Sequence, residues 1–190
     1  MKEKIKSYLL LAGIAGFLIL VDQVTKAYVR ANLAVYAMWS PWDWMLPYFR
    51  FYHTQNTGVA FGMFQGANDL FKLLAILVSI AIIYYYPRVP REDWTLRIAL
   101  GMQLAGALGN LIDRFTQGFV TDFISVGTFA IFNVADASIT VGVGVLILGV
   151  YLQERKAKQS AALAEAAAQA EAKQDGQDQN EAEATEEAQP

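Results

Sequence analysis

Two aspartates, Asp122 and Asp136, have the residue type and the position that hydrolytic chemistry needs. Each lies just outside an apolar segment or at its start. Acidic side chains at bilayer depth are costly and usually mark a pathway or a reactive site, although a nearby Arg or Asn could also satisfy each one structurally. Two facing carboxylates cannot both ionise easily, so they share one proton, and one acts as base and the other as acid. Such a pair can activate water against an amide carbonyl without metal or cofactor.

The sequence around the two aspartates predicts that they differ in acidity. Asp136 lies near the N-terminus of the last apolar segment, where the helix dipole favours a negative charge. Asp122 has apolar neighbours that tend to raise a carboxyl pKa, namely Phe119, Val120, Phe123 and Ile124. We therefore hypothesise that Asp136 is the more acidic member, although an interacting pair titrates jointly.

Composition narrows the chemistry further. The chain of 190 residues has no cysteine and one histidine, His53. The lack of cysteine excludes a disulfide framework, a thiol nucleophile and a Cys-ligated metal. A single histidine nearly excludes a His-based zinc site and a Ser-His-Asp triad. We expect no metal, no cofactor and no nucleic-acid partner, and we assign His53 no role.

Four apolar segments are long enough to cross a bilayer as helices: about 7–29, 70–86, 96–113 and 134–152. A basic start before a short apolar run also fits a cleaved signal peptide. However, the helical pattern continues beyond Val21 without a convincing small-residue cleavage site, which favours a retained first helix. In the third segment, small residues recur every four positions, a pattern that lets helices approach closely, at Gly101, Ala105 and Gly109.

The segments between these spans differ in character. Residues 31–49 are crowded with Trp and Tyr and interrupted by Pro41 and Pro47, which predicts a segment lying at the headgroup level of the membrane. Residues 50–61 are rich in aromatic residues and Thr, which predicts an extended chain with a bend at Gly58. The whole of 31–68, together with 115–133, is predicted to lie outside the cytoplasm.

The distribution of Lys and Arg predicts the orientation. These residues are concentrated at the N-terminus, at 87–97 and at 153–158, whereas 31–68 and 115–133 hold only Arg50 apart from residues at span ends. Because cytoplasmic loops carry the excess of positive charge, both termini are predicted to be cytoplasmic. Asp22, Asp122 and Asp136 would then gather on the extracytoplasmic side.

The C-terminal tail differs from the rest of the chain. Residues 159–190 carry eight acidic residues and one lysine, a net charge of −7, so the remainder carries +4 within a total of −3. We therefore divide the chain into a membrane domain, 1–158, and an acidic cytoplasmic tail, 159–190. The tail is rich in Ala and Glu, which predicts some helix at its start and disordered chain beyond Asp175.

Other charged and amide residues are spaced to support the two aspartates. Asp22 and Lys26 are four apart and share a helix face, either as an ion pair or as a support for the site. Asn110 and Arg114 share a face at the outer end of the third span, whereas Asp113 is rotated by about 100°. Asp113 and Arg114 could pair with each other or with headgroups. Alternatively, Asn110 and Arg114 could bond a substrate backbone or orient an aspartate.

At this point the chain resembles a known family, lipoprotein signal peptidase (signal peptidase II), over about residues 5–153. Five blocks carry the resemblance in the family's order, and together they are highly specific: Asp22-x-x-x-Lys26, Asn56-Thr57-Gly58-Val59-Ala60-Phe61, Gly106-x-x-Gly109-Asn110-x-x-Asp113-Arg114, Val120-Thr121-Asp122-Phe123 and Phe132-Asn133-x-Ala135-Asp136. Ala105 and Val59 replace a glycine and an alanine that are frequent in the family, and the acidic tail lies outside the family pattern.

The resemblance implies an all-α membrane protein of four transmembrane helices, with a small extracytoplasmic β-like cradle and an interfacial aromatic segment. It implies an aspartic peptidase of the bacterial inner membrane that is inhibited by globomycin. We expect the protein to be a monomer among membrane lipids. Its substrate would be a diacylglyceryl-modified prolipoprotein, cut just before the lipidated cysteine. Asp122 and Asp136 would be the catalytic dyad, with substrate-binding or supporting roles for Asp22, Lys26, Asn56, Gly58, Asn110, Asp113, Arg114, Asn133 and Ala135.

Two other classes of protein fit the residues without the resemblance. A small carrier would use intramembrane aspartates to bind an ion or a proton. A non-enzymatic scaffold would use them only to pair helices. A carrier is expected to show paired broken helices near the midplane, whereas the polar residues and breaks here cluster on the predicted outer side. That clustering favours a hydrolase acting at the membrane interface.

Overall fold

The computed structural model describes residues 2–58 and 66–186. The motif residues Val59, Ala60 and Phe61 lie outside the described residues. Within that part of the chain there are four α-helices and three strands: α1 (Lys2–Asn32), β1 (Met38–Trp39), β2 (Phe49–Asn56), α2 (Asn68–Tyr85), α3 (Trp94–Thr116), β3 (Val120–Val126) and α4 (Val134–Glu186). The predicted fold class, four long apolar helices with a small sheet, is confirmed.

Four of the described helical segments are long and apolar enough to cross a membrane: Ile5–Asn32, Asn68–Arg88, Trp94–Thr116 and Val134–Leu163. Large apolar side chains on the outer faces of α1, α2 and α4 are exposed, among them Leu9, Phe17, Leu20, Ile80 and Ile147. Exposed apolar faces of this extent suit a lipid environment rather than water.

Helix α3 is the central helix, because 56% of its spanning window is buried against 17% to 22% of the other three windows. Small residues allow its neighbours to come close, as the sequence predicted. A Cβ added at Gly101 would lie 2.8 Å from the Ile14 side chain of α1. A Cβ added at Gly109 would lie 2.7 Å from Asp22 Oδ2 and 3.2 Å from Ala135 Cβ, so α1, α3 and α4 meet at this point.

The three strands form an antiparallel sheet in the order β1-β2-β3. Met38 pairs with Tyr52, and Thr54 pairs with Asp122, with an irregularity in β2 between Phe51 and Thr54. His53 lies in that irregular part, where its Nδ1 is 2.7 Å from the carbonyl oxygen of Leu33 and its side chain is buried. The sheet is thus attached to the end of α1.

The segment between α1 and β2 exposes most of its aromatic rings: Tyr36, Trp39, Trp42, Trp44 and Tyr48. It contains β1 and a short 3-10 helix, Asp43–Met45. The rings of Trp42 and Trp44 stack with centroids 6.3 Å apart, and Trp39 stacks on Phe51 at 5.6 Å. Exposed Trp and Tyr side chains favour the headgroup region of a membrane.

The chain divides into two compact units, one that ends at Ile147 and one that begins at Leu148. The first unit contains the sheet and the helices around α3. The second is the remainder of α4, which is helical to Glu186. The sequence predicted disordered chain beyond Asp175, whereas the structure has helix there, in a composition dominated by the strong helix formers Ala, Glu and Gln.

Candidate active site

Asp122 is held by the sheet. It lies in the middle of β3, opposite Thr54 of β2. Asn56, two residues further along β2, donates its Nδ2 to Asp122 Oδ2 at 2.9 Å. The Asp122 side chain is buried. The sheet therefore fixes both the backbone and one carboxylate oxygen of this residue.

Asp136 is held by the first turn of α4. The backbone N–H of Asp136 donates to Asn133 Oδ1 at 3.0 Å, and the backbone N–H of Asn133 donates to Asp136 Oδ2 at 3.2 Å. This reciprocal pair is a capping box, in which the residue before the helix and the third residue of the helix satisfy each other. It orients the Asp136 carboxylate at the positive end of the helix dipole.

Two amide side chains join the two aspartates. Asn133 donates its Nδ2 to Asp122 Oδ1 at 2.7 Å and to Asn110 Oδ1 at 3.0 Å. Asn110, on α3, donates its Nδ2 to Asp136 Oδ1 at 2.8 Å. Each of the four carboxylate oxygens thus accepts one N–H. The structure therefore brings together four residues from β2, β3, α3 and the start of α4 around Asp136.

A buried ion-pair cluster, consisting of Asp22, Lys26, Arg30 and Asp113, lies behind the amides. Lys26 Nζ is 2.9 Å from Asp22 Oδ2 and 3.3 Å from Asp113 Oδ2, and Arg30 Nη1 is 3.6 Å from Asp113 Oδ1. Lys26 and Asp113 are fully buried. Charged side chains at this depth are tolerated only when each is paired with an opposite charge. The cluster contains two acidic and two basic side chains.

The cluster also holds backbone groups in place. Asp113 Oδ2 accepts the backbone N–H of Thr121 at 2.9 Å, next to Asp122. Asp22 Oδ1 accepts the backbone N–H of Ala135 at 2.9 Å, next to Asp136. That N–H is one of the donors that the start of α4 cannot satisfy internally. Asp113 forms its ion pairs with Lys26 and Arg30 of α1 rather than with Arg114, from which it is rotated by about 100° on α3.

Arg114 lies on the other side of Asn110, at the outer end of α3. Its Nη2 donates to the Gly58 carbonyl oxygen at 3.4 Å, and its guanidinium lies over the Phe71 ring at 5.4 Å. It also interacts electrostatically with the two site aspartates. Its positive charge can therefore balance a negative charge on either aspartate. The backbone N–H of Gly58 in turn donates to Asn56 Oδ1 at 2.9 Å.

A cavity of about 460 Å³ opens onto both aspartates. Its polar lining includes Asn56, Asn110, Arg114 and Thr140 as well as the two aspartates. Most of the remaining lining is apolar and comes from the segment before α4 and the first turns of α4: Phe129, Ala130, Ile131, Phe132, Ala137, Ile139 and Val141. The cavity suits an apolar chain with a peptide bond presented to two carboxyls.

Burial raises the pKa of Asp122 from its ordinary value of about 3.9 to about 7, with a further contribution from the neighbouring Asp136 carboxylate. The N–H donors of Asn56 and Asn133 and the charge of Lys26 act in the opposite direction. Desolvation is the largest of these effects, so Asp122 can hold a proton near neutral pH.

Within the part of the chain that the structure describes, no group of three or more His, Asp or Glu side chains could hold a metal ion.

Three residues that support the site were not identified from the sequence: Gln23 and Arg30 on α1 and Thr121 on β3. Gln23 Nε2 donates to Gly109 O and to Asp22 Oδ2, both at 3.0 Å. Arg30 Nη1 donates to Thr121 Oγ1 at 3.0 Å. A signal for Arg30 was present, since Asp22, Lys26 and Arg30 recur every four residues on one helix face. The Asn-x-x-Asp spacing of Asn133 and Asp136 was likewise a capping-box signal.

Comparisons with known proteins show the family of this chain. Residues 14–152 match the family model described as signal peptidase (SPase) II. A lipoprotein signal peptidase of Symbiobacterium thermophilum is 39% identical over 142 residues, covering 73% of this chain and 91% of that protein. One of Shouchella clausii is 37% identical over 146 residues, covering 76% and 95%.

Solved structures give the same answer at the level of the fold. A bacterial membrane enzyme determined by the in meso method at 2.3 Å resolution has a TM-score of 0.69 and 30% identity, covering 78% of this chain and 89% of that one. A second such structure, at 1.9 Å, has a TM-score of 0.65 and 31% identity, covering 76% and 92%. The similarity therefore extends over about three quarters of the chain.

Proposed function

Since this chain belongs to the signal peptidase II family of aspartic-type peptidases, we propose that it removes the signal peptide from diacylglyceryl-modified prolipoproteins immediately before the lipidated cysteine. Asp122 and Asp136 are the catalytic dyad of this proposal. The observation that carries it is the arrangement of the two carboxyls at one cavity, joined through Asn133 and Asn110.

In the proposed mechanism the two carboxyls have different tasks. Asp136, at the helix N-terminus, is ionised and takes a proton from a water molecule as that water attacks the scissile carbonyl carbon. Asp122, whose pKa is about 7, is protonated and donates to the carbonyl oxygen. When the tetrahedral intermediate collapses, the C–N bond breaks and the proton held by Asp136 passes to the leaving nitrogen. Asp122 takes back the proton of the hydroxyl that becomes the carbonyl of the new carboxyl group, so both groups return to their starting states. This exchange of protons is general acid–base catalysis by a carboxyl pair.

The surroundings support a peptide substrate presented from the membrane. The apolar lining suits the apolar end of a signal peptide, and Arg114 can donate to a substrate carbonyl beside the dyad. Gly58 and Asn56 offer further backbone and amide groups in the cavity lining. The globomycin class of cyclic peptide inhibitor, which the family resemblance implies, would occupy the same cavity. In this proposal the enzyme acts as a monomer among membrane lipids.

The orientation in the membrane is part of the proposal. This is a bacterial membrane protein by family and by its four apolar helices. We place it in the inner membrane with both termini in the cytoplasm and the dyad on the extracytoplasmic side, because Lys and Arg are concentrated in the opposite loops.

The test is cleavage by purified protein in detergent, with a diacylglyceryl-modified prolipoprotein as substrate. We expect wild type to release the signal peptide, and we expect Asp122→Asn and Asp136→Asn each to lose at least about 10³-fold in kcat. Thermal unfolding of each variant shows that it remains folded. The matched control is Asp69→Asn, an exposed aspartate of α2 that pairs with Lys72, which should retain full activity.

Retained cleavage in both Asn variants would refute the dyad. Cleavage by wild type of the unlipidated precursor at the same rate would refute the lipid requirement while leaving the dyad intact. Asp122→Glu and Asp136→Glu proteins that show a single ordinary carboxyl ionisation in their pH–rate profiles would contradict coupling between the two groups.

A further inference from the structure

We propose that Lys26 is a positioning residue for the dyad, because it fixes the direction in which the Asn110 amide points and thereby turns the Asn110 N–H toward Asp136. This inference rests on the proposed function. It gives Lys26 a task beyond its pairing with the aspartates of the ion-pair cluster.

The contacts of Lys26 account for all of its donors. Its Nζ is 2.9 Å from Asn110 Oδ1, 2.9 Å from Asp22 Oδ2 and 3.3 Å from Asp113 Oδ2. An ammonium group has three N–H donors and no acceptor, so each donor has one partner. Lys26 is 0% exposed, so bulk solvent does not reach any of the three donors.

A donor-only partner decides the orientation of an amide. The two ends of Asn110 are chemically different, since one is an acceptor and the other carries two donors. The oxygen must face Lys26 Nζ, because the reverse orientation would direct the amide N–H at an ammonium. The Nδ2 end consequently lies 2.8 Å from Asp136 Oδ1. A directed chain of hydrogen bonds thus runs from Lys26 through Asn110 to the catalytic base.

The neighbouring amide is compatible only with the same direction. Asn133 also donates to Asn110 Oδ1, at 3.0 Å, and to Asp122 Oδ1, at 2.7 Å. Its own oxygen accepts the backbone N–H of Asp136, which can only donate. Reversing Asn110 would therefore break the contact with Asn133 as well as the contact with Lys26.

The charge of Lys26 adds a second, measurable effect. It lowers the pKa of Asp122, so its removal should raise that pKa and move the basic limb of the pH–rate profile to higher pH. The other charged groups around the dyad stay in place in this test: Arg114 and Asp113 on α3, Asp22 and Arg30 on α1, and Asp136 opposite Asp122 on α4.

The experiment compares Lys26→Gln with Arg30→Gln in the detergent cleavage assay over a range of pH. Both variants remove one cation that contacts Asp113. Lys26 also contacts the side-chain amide of Asn110, whereas Arg30 contacts the hydroxyl of Thr121. For Lys26→Gln we expect kcat to fall by roughly 10²-fold with little change in KM. We also expect the basic limb of its pH–rate profile to move to higher pH by about 0.5–1 unit. For Arg30→Gln we expect a lower Tm and a basic limb that coincides with that of wild type.

A pH–rate profile of Lys26→Gln that coincides with that of Arg30→Gln would overturn the inference. If Lys26→Gln does not fold, the double variant Lys26→Gln/Asp113→Asn is measured instead, because it removes one charge of each sign. Unfolding of both proteins would make Lys26 a scaffold residue only and would also overturn it. Failure of wild type to cleave the lipidated substrate refutes the proposed function instead, so the two failures are distinguishable.

Discussion

At the scale of single residues, Asp122 carries an energetic cost that its proposed function explains. A carboxyl at this depth loses hydration, and its two N–H donors and the charge of Lys26 do not fully compensate, since its pKa is raised to about 7. A raised pKa means that the folded chain binds this proton more tightly than the unfolded chain. The free energy of unfolding should therefore fall as the pH rises from about 4 to about 7.

Replacing Asp122 by Asn should therefore stabilise the protein at high pH. At pH 8 we expect Asp122→Asn to have the higher free energy of unfolding, by roughly 1–3 kcal/mol, because it removes a carboxylate that is costly to ionise but loses part of that gain to mismatched N–H donors. At pH 5, where wild-type Asp122 is protonated, the free energies of unfolding of the variant and of wild type should be nearly equal. Thermal unfolding in detergent at both pH values measures the difference.

Asp69→Asn is again the matched control for the unfolding measurement, because its side chain is 94% exposed. Its Tm should follow that of wild type at both pH values. Equal destabilisation by Asp122→Asn at pH 5 and pH 8 would show that Asp122 is an ionised structural residue.

The residues of the site could be predicted from sequence to an uneven extent. Asp122 and Asp136 stand out because acids are rare beside apolar spans, and helical periodicity separates Asp113 from Arg114 by about 100°. Gln23 could not be found in this way. It acts through one amide group that reaches Gly109 on α3, and nothing in its own surroundings along the chain indicates that contact.

At the scale of elements, the position of α3 between α1 and α4 determines where the site forms. The close approach at Gly109 brings the Asp22 carboxylate and the start of α4 against α3. Because Asp22 Oδ1 bonds the Ala135 N–H, this contact sets the position of the turn that carries Asp136. The helix contact and the dyad geometry are therefore linked.

Gly109→Ala tests that link. The added Cβ would lie 2.7 Å from Asp22 Oδ2, so Asp22 must move and release the Ala135 N–H. We expect a loss of about 1–3 kcal/mol in the free energy of unfolding and a fall in kcat of roughly 10²-fold. Chemical or thermal unfolding and the cleavage assay measure the two effects.

Gly144→Ala is the control on α4, since a Cβ there meets nothing within 4 Å. Its stability should be unchanged or higher by about 0.5–1 kcal/mol, because Ala favours a helix interior. Full activity of Gly109→Ala would show that the helix contact and the dyad are independent.

Helices were easier to predict than strands, for a physical reason. A spanning helix satisfies its own backbone and must be apolar over its length, so its signal is local. Strand β3 is recognisable only with its partner, because its pairing with β2 and its contact with Asp113 come from distant parts of the chain. The sequence analysis predicted an extended chain at β2 from its aromatic residues and Thr, but it predicted no strand for the residues around Asp122.

At the scale of the whole molecule, charge and aromatic residues lie at opposite ends of the helices in the first unit. The sheet and the exposed Trp and Tyr side chains follow α1 and precede α2, whereas Arg88, Arg91 and Arg97 are in or near the connection from α2 to α3. Consecutive spanning helices alternate in direction, so these two connections belong to opposite faces of the membrane.

The proposed orientation makes a direct prediction, and the lack of cysteine in the chain allows a clean test. Tyr48, which is 69% exposed, and Glu92, which is also exposed, are each replaced by a single Cys. With intact spheroplasts and a membrane-impermeant maleimide, we expect Tyr48→Cys to be labelled at once and Glu92→Cys only after the membrane is permeabilised. The cysteine-free wild type gives the background, and retained cleavage shows that each variant is folded. The opposite labelling pattern would place the dyad on the cytoplasmic side, where it could not meet a lipoprotein precursor that is processed after export.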